Sequence, residues 1–153
     1  HFAYPLNRME VTYKLQSLTH YAVKLGTEIL KDEANKVMFI ARRTKSIDKL
    51  TKYGYYGAKA NNDYLNWFNE GIIREIGAVG KIDRGISLVG LNHTIAHSFS
   101  SSEIQYVQGL IGRLSRLAPD KLATLHILIS YYMEGNEKIY CQNKVWLENF
   151  MDK

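Results

Sequence analysis

The sequence is poor in cysteine, which cross-links small secreted domains as disulfides, and in proline, which interrupts helices. Its 153 residues include one cysteine, Cys141, and two prolines, Pro5 and Pro119. A single cysteine cannot form an internal disulfide, so we expect a reducing compartment, with the cytoplasm as the default localisation. With so little proline, long stretches of the chain are free to be helical.

Long apolar runs are also missing. No stretch approaches the roughly 18 apolar residues that a membrane-spanning helix needs, and no basic-then-apolar signal segment opens the chain. We therefore expect no membrane association. The hydrophobic fraction, 46%, is nonetheless ordinary for a globular protein,. The length fits one domain, which we place at residues 1–153.

Apolar residues recur at helical spacing in the first half of the chain. The first stripe has steps of three and four residues: Leu15, Leu18, Ala22, Leu25 and Ile29,. It predicts a helix over about 8–43, either continuous or broken near Asp32. Asn62-Asp63 is a typical helix start. The face formed by Leu65, Phe68, Ile72 and Ile76 predicts a second helix that ends at Gly77.

The second half contains further helical signals. Segment 86–97 fits a helix or a short strand at 86–89, and the spacing favours the helix. Ser100 and Glu103 form a capping box, which predicts a helix from about residue 101 to Pro119. A second helix after Pro119 would complete a hairpin over 101–134, and a short helix over 145–151 would follow. The sequence thus predicts an all-α fold, a compact bundle of about five to six helices with at most a short irregular or β segment.

The net charge of +5 is confined to one stretch. Residues 42–59 contain six basic side chains and one acidic one, whereas the rest of the chain holds 14 of each. The glycines in Tyr53-Gly54-Tyr55-Tyr56-Gly57 disfavour a helix. We therefore predict that 42–60 is a basic connection, either a loop or a short helix from Ser46 to Lys52 followed by a loop.

This stretch combines the two residue types that bind single-stranded nucleic acid. Lys and Arg contact phosphates, and aromatic rings stack on bases. The candidate site residues are Arg42, Arg43, Lys45, Lys49, Lys52 and Lys59 for phosphates, and Tyr53, Tyr55 and Tyr56 for stacking. The alternative is a solvated basic surface with the tyrosines packed inward. Because the sequence has no zinc finger or helix-turn-helix signature, we expect non-specific backbone recognition of RNA or single-stranded DNA.

Signals for metal binding and catalysis are weak. His93 and His97 have the i, i+4 spacing of a zinc-binding helix, but Thr94 stands where the zinc-protease motif needs Glu. No phosphate loop ending in Gly-Lys-Ser/Thr follows the glycines at 77, 80 and 85, and no nucleophile motif surrounds Cys141. We therefore expect no metal, no cofactor and no enzymatic activity.

The sequence as a whole predicts a small, basic, non-enzymatic helical subunit that contacts nucleic acid through its phosphates. We expect it to work in a larger (ribonucleo)protein assembly, such as a nucleic-acid-targeting defence complex, with protein partners or self-association. The alternative is a protein–protein adaptor or regulatory module with an exposed aromatic patch. That patch would consist of Tyr55, Tyr56, Tyr64, Trp67 and Phe68.

Overall fold

A continuous apolar run, Val37–Ala41, forms the central strand of a five-stranded parallel sheet. The computed structural model describes residues 16–56, 63–79, 86–97, 107, 111, 117–118 and 120–140. All five residues of the central strand are buried. A parallel sheet covered on both faces requires this, because neither side of its central strand meets water.

The described residues include three helices and seven strands with defined ends. The helices are α1 (Gln16–Leu30), α2 (Thr44–Leu50) and α3 (Asp63–Glu70). The strands are β1 (Val37–Ala41), β2 (Gly54–Tyr55), β3 (Glu75–Val79), β4 (His93–His97), β5 (Thr124–Ile127), β6 (Tyr131–Glu134) and β7 (Glu137–Tyr140). The first five strands form the parallel sheet in the order β2-β3-β1-β4-β5, and β6 and β7 form a separate antiparallel hairpin.

The sheet separates two hydrophobic clusters, and β1 supplies both. Met38 and Ile40 point into one cluster, which includes Phe68 of α3 and also Val107 and Ile111. The alternate residues of β1 point into the other cluster, which α1 and α2 cover: Val37, Phe39 and Ala41. Helices thus cover both faces, and the architecture is a three-layer α/β domain.

The edge at which the strands begin is closed by side-chain hydrogen bonds. The Arg74 guanidinium donates to the Leu30 carbonyl at the end of α1, over 3.0 Å. Lys36 Nζ donates to the carbonyls of Phe68, at 2.6 Å, and Val89, at 2.8 Å. These bonds join the end of α1 to the start of β3, and α3 to the start of β1.

The predicted all-α bundle is wrong, because the centre of the molecule is a parallel sheet. Buried parallel strands are apolar on both faces, so they show no alternation of apolar and polar residues. Any apolar run contains pairs spaced by four, and Val37 with Ala41 therefore extended the helical stripe of α1. Ile76, assigned to the second helix, likewise lies in β3.

Other predicted elements fare unevenly. The first helix ends at Leu30 and not at about 43. This end lies close to Asp32, where one of the two alternatives placed a break. The helix favoured for 86–97 is replaced by β4, and the second helix of the 101–134 hairpin is replaced by β5 and β6. Val107 and Ile111 of the first hairpin helix are helical and buried. The Ser100 capping box and the helix at 145–151 lie outside the described residues.

None of the helices in the described part of the chain is long and apolar enough to span a bilayer.

Candidate functional site at the carboxyl edge of the sheet

The strand order marks one position as a ligand-binding crevice. The connection after β1 leads to β2 on one side of the sheet, and the connection after β4 leads to β5 on the other side. In open parallel α/β sheets, ligands bind outside the carboxyl ends of the strands where the connections diverge in this way. The crevice is therefore expected between the ends of β1 and β4, where Ala41 lies in register with His97.

Basic side chains lie at this position. Arg42 and Arg43 follow the last residue of β1, and both are exposed. Arg43 has an extended backbone, with φ −128° and ψ 143°, and α2 begins directly after it. Lys45 and Lys49 are exposed on α2 at i, i+4 spacing and share one of its faces,. Four of the six predicted phosphate-binding residues thus lie on or directly before one short helix.

His97 is buried at the carboxyl end of β4, next to the expected crevice. It is 1% exposed, and its Nε2 atom lies 3.1 Å from the Thr19 hydroxyl of α1. Burial lowers the pKa of His97, and the nearby charge of Lys49 lowers it further against an opposing hydrogen bond to the backbone. The imidazole is therefore neutral at pH 7, and the positive charge at this edge comes from the Arg and Lys side chains.

Tyr56 is held at the same edge, directly after β2. Its hydroxyl donates a hydrogen bond to Asp48 Oδ1 of α2. Burial raises the pKa of Tyr56 to about 12, and the bond to Asp48 and its charge contribute. A Cβ on Gly54 would overlap the Tyr56 hydroxyl, so glycine lets the side chain fold back over the strand. The ring remains 43% exposed, which leaves it available for stacking.

The remaining predicted site residues do not join this cluster. Lys52 follows α2 at its far end, and its Nζ lies 5.2 Å from the centroid of the Tyr53 ring. Tyr53 is half-buried against Tyr64, with ring centroids 5.4 Å apart. Tyr55 is buried in the core and offers no ring face to a ligand. Lys59 lies outside the described residues.

The alternative aromatic patch is divided as well. Phe68 is fully buried, as Tyr55 is, whereas Trp67 is 37% exposed on α3. Tyr64 packs edge-on against Trp67, with ring centroids 5.6 Å apart. Two of the five patch residues are thus part of the core, and Tyr56 is bound to α2 instead.

The histidines considered as metal ligands are not neighbours. His93 and His97 lie at opposite ends of β4, and the rise of the strand between them separates them by about 13 Å. His93 Nδ1 instead lies 2.9 Å from His126 Nε2 of β5, and burial lowers the pKa of both imidazoles. In the described ranges, no three His, Cys, Asp or Glu side chains are grouped so as to hold a metal ion.

The sequence-based prediction missed the position of His97, with its partner Thr19, at the carboxyl edge. The signal that could have found it is the five-residue apolar run Val37–Ala41, since short apolar runs are typical of buried parallel strands. Recognising that strand places the following Arg42 and Arg43 at a carboxyl edge. The strand nature of the segment ending at His97 would then bring that residue to the same edge.

No protein-family model matches this sequence, and a search of curated proteins found no significant match. Solved structures share its fold. T4 UvsW matches 96% of this chain with a TM-score of 0.60 and 14% identity. The C-terminal part of the Fun30 ATPase domain matches 70% with a TM-score of 0.55 and 23% identity. The Mss116p DEAD-box helicase domain 2, bound to an RNA duplex, matches 73% with a TM-score of 0.50 and 13% identity.

These likenesses show the fold, which is the RecA-like α/β fold of helicase domains. The chain spans less than half of each of these structures: 33% of UvsW, 38% of the Fun30 chain and 49% of the Mss116p chain. The prediction of a non-enzymatic helical subunit is contradicted, because the fold is one that ATPase and helicase domains have.

Proposed function

We propose that this chain is a RecA-like domain of a nucleic-acid-dependent ATPase of the helicase class. The observation that carries the proposal is the position of Arg42 and Arg43 at the switch point of a sheet with this fold. The structures with this fold include an ATPase domain and a helicase domain bound to an RNA duplex. The RNA is a ligand of that helicase domain.

The chemistry of the carboxyl edge suits phosphate ligands. An arginine can hold two phosphate oxygens at once through its planar guanidinium, and a lysine supplies a mobile point charge. Arg42, Arg43, Lys45 and Lys49 would contact phosphates at this edge, and Tyr56 would stack on a base. The neutral His97 beneath them contributes no charge, and its contact with Thr19 holds the end of β4 against α1.

The proposal assigns this chain a part of the ATPase cycle and not all of it. No Gly-Lys-Ser/Thr phosphate loop occurs in its 153 residues, and that loop cradles the nucleotide phosphates in many ATPases. We assign the loop to a separate domain that faces this carboxyl edge. This chain would then contribute cationic side chains to a crevice shared between two domains, which is where ligands commonly bind.

The test is a titration of the chain with fluorescein-labelled single- and double-stranded RNA and DNA, followed by fluorescence anisotropy. Wild type should bind, and the affinity should fall steeply between about 50 and 200 mM salt. The double variant Arg42→Glu/Arg43→Glu should lose most of this binding. Lys31→Glu/Lys121→Glu is the charge-matched control, because both lysines are exposed cations at the opposite edge, after α1 and just before β5.

Two outcomes would count against the proposal. The absence of binding by wild type at low salt would remove nucleic acid as a ligand of this chain. An equal loss in Lys31→Glu/Lys121→Glu and in the arginine variant would show that binding follows net charge, and the carboxyl edge would no longer be the site.

A further inference from the structure

The β6–β7 hairpin extends from the same edge of the sheet as the basic residues. β5 ends at Ile127 and β6 begins at Tyr131, so the hairpin starts within about 14 Å of the carboxyl end of β5. Gly135, with φ of 62°, lies in the two-residue turn, where a positive φ matches the twist of a tight hairpin. The hairpin pairs with itself and is not a strand of the parallel sheet.

The two faces of this hairpin differ in chemistry. Residues directly opposite each other in an antiparallel pair point to the same face, and the faces alternate along each strand. One face therefore contains the pairs Tyr131–Tyr140 and Met133–Lys138. The other face contains the pairs Tyr132–Ile139 and Glu134–Glu137. All the negative charge of the hairpin lies on the second face, and its single positive charge lies on the first.

The first face is an aromatic surface with a cation beside it. The rings of Tyr131 and Tyr140 meet edge to face, with centroids 5.9 Å apart. Lys138 Nζ lies 4.8 Å from the centroid of the Tyr131 ring. Tyr131 is 49% exposed and Met133 53% exposed. Tyr140 also packs against the core cluster that contains Met38, which anchors this face to the domain.

We propose that this face of the hairpin, with Tyr131 at its centre, is a stacking platform for the bases of single-stranded nucleic acid. Aromatic side chains on an exposed sheet face stack bases in this way, and a neighbouring lysine contacts the phosphate. The distribution of charge selects the face, because Glu134 and Glu137 repel phosphates from the other side. The inference rests on the proposed function, since the nucleic-acid strand must first bind at the carboxyl edge.

The exposed side chains Tyr131 and Tyr132 form a matched pair for the test. They are neighbours in β6 with nearly equal exposure, 49% and 50%, and they lie on opposite faces. The probes are two fluorescein-labelled DNA 12-mers, one of thymidines and one of abasic sites with the same phosphates. Tyr131→Ala should weaken binding of the thymidine strand about tenfold and should change the affinity for the abasic strand less than about twofold. Tyr132→Ala should change neither affinity. Tyr131→Phe keeps the aromatic ring and should therefore bind the thymidine strand as wild type does.

The outcomes separate this inference from the proposed function. If wild type binds both DNA 12-mers and Tyr131→Ala leaves both affinities unchanged, the stacking platform alone is overturned. Equal losses in Tyr131→Ala and Tyr132→Ala would also overturn it, because a face-specific role predicts a difference. Failure of wild type to bind either strand would overturn the proposed function, and the platform with it.

Discussion

His97, the last residue of β4, is buried beneath a cationic edge, and its Nε2 atom lies 3.1 Å from the Thr19 hydroxyl of α1. Ala41, whose successors are Arg42 and Arg43, is its register partner in β1. A protonated imidazole at this position would add a positive charge next to Lys49 and would lose hydration. The fold therefore stabilises the neutral imidazole, and this has a measurable consequence for stability.

The free energy of unfolding should decrease as the pH falls below about 6.5. The pKa of His97 is lowered in the folded state by burial and by Lys49, whereas the unfolded value is about 6.5. Between the two values the unfolded chain binds more protons, so stability present above pH 6.5 is lost toward the folded pKa, by up to about 1.4 kcal/mol per pH unit for each proton. The lowered pKa values of His93 and His126 act in the same direction.

Urea denaturation between pH 7.5 and 5.5 measures this effect. His97→Gln should show a shallower decrease than wild type, and His20→Gln, which changes an exposed histidine of α1, should keep the wild-type slope. A slope that is the same in all three proteins would contradict the role of His97.

Two buried threonines should respond oppositely to the same substitution. Thr94 is fully buried, and its Oγ1 has no hydrogen-bond partner among the residues that the structure describes. Thr94→Val should therefore raise the free energy of unfolding by about 1 kcal/mol, since a buried unpaired hydroxyl is costly. Thr51 is also buried, but its Oγ1 accepts a hydrogen bond from the Tyr53 amide over 3.3 Å. Thr51→Val should lower stability by about 1 kcal/mol.

Chemical denaturation of the two valine variants at pH 7.5 compares them directly. A loss of stability in Thr94→Val equal to that in Thr51→Val would show that the Thr94 hydroxyl is paired.

Gly26 in α1 should not tolerate alanine, despite its helical position. A Cβ there would lie 2.5 Å from Cζ of Phe39, and that ring is 2% exposed. Alanine would ordinarily stabilise a helix by about 1 kcal/mol relative to glycine, but crowding of a packed core costs about 1–3 kcal/mol. We therefore expect Gly26→Ala to destabilise the protein by about 1 kcal/mol.

A double-mutant cycle with Phe39→Leu tests the cause. The shorter leucine leaves room for the new methyl group, so Gly26→Ala should cost less in the Phe39→Leu background than in wild type. The same cost in both backgrounds would mean that Phe39 is not the obstacle.

Part of the candidate site could be predicted from the sequence. The basic segment 42–59 is evident from its charge alone. Of the two alternatives predicted for it, a loop or a short helix from Ser46 to Lys52, the helix forms, as Thr44–Leu50. Which residues of this segment lie together could not be predicted, because that depends on where β1 ends. Arg42, Arg43, Lys45 and Lys49 lie at the carboxyl edge, whereas Tyr55 of the same segment is an edge-strand core residue.

The sequence by itself determined the local features of this protein: the amphipathic face of α1, the start of α3 at Asp63, and the concentration of positive charge before and within α2. Only the tertiary structure decided that the apolar runs between them pair as parallel strands, bringing His97 to Ala41 across more than fifty residues. The local trace of parallel pairing is a short apolar run, which a buried helix segment also shows. The hydrogen bonds join distant segments, and burial on both faces removes the alternation that marks an exposed strand. The same pairing places Arg42 and Arg43 at a switch point, and so determines where a ligand could bind.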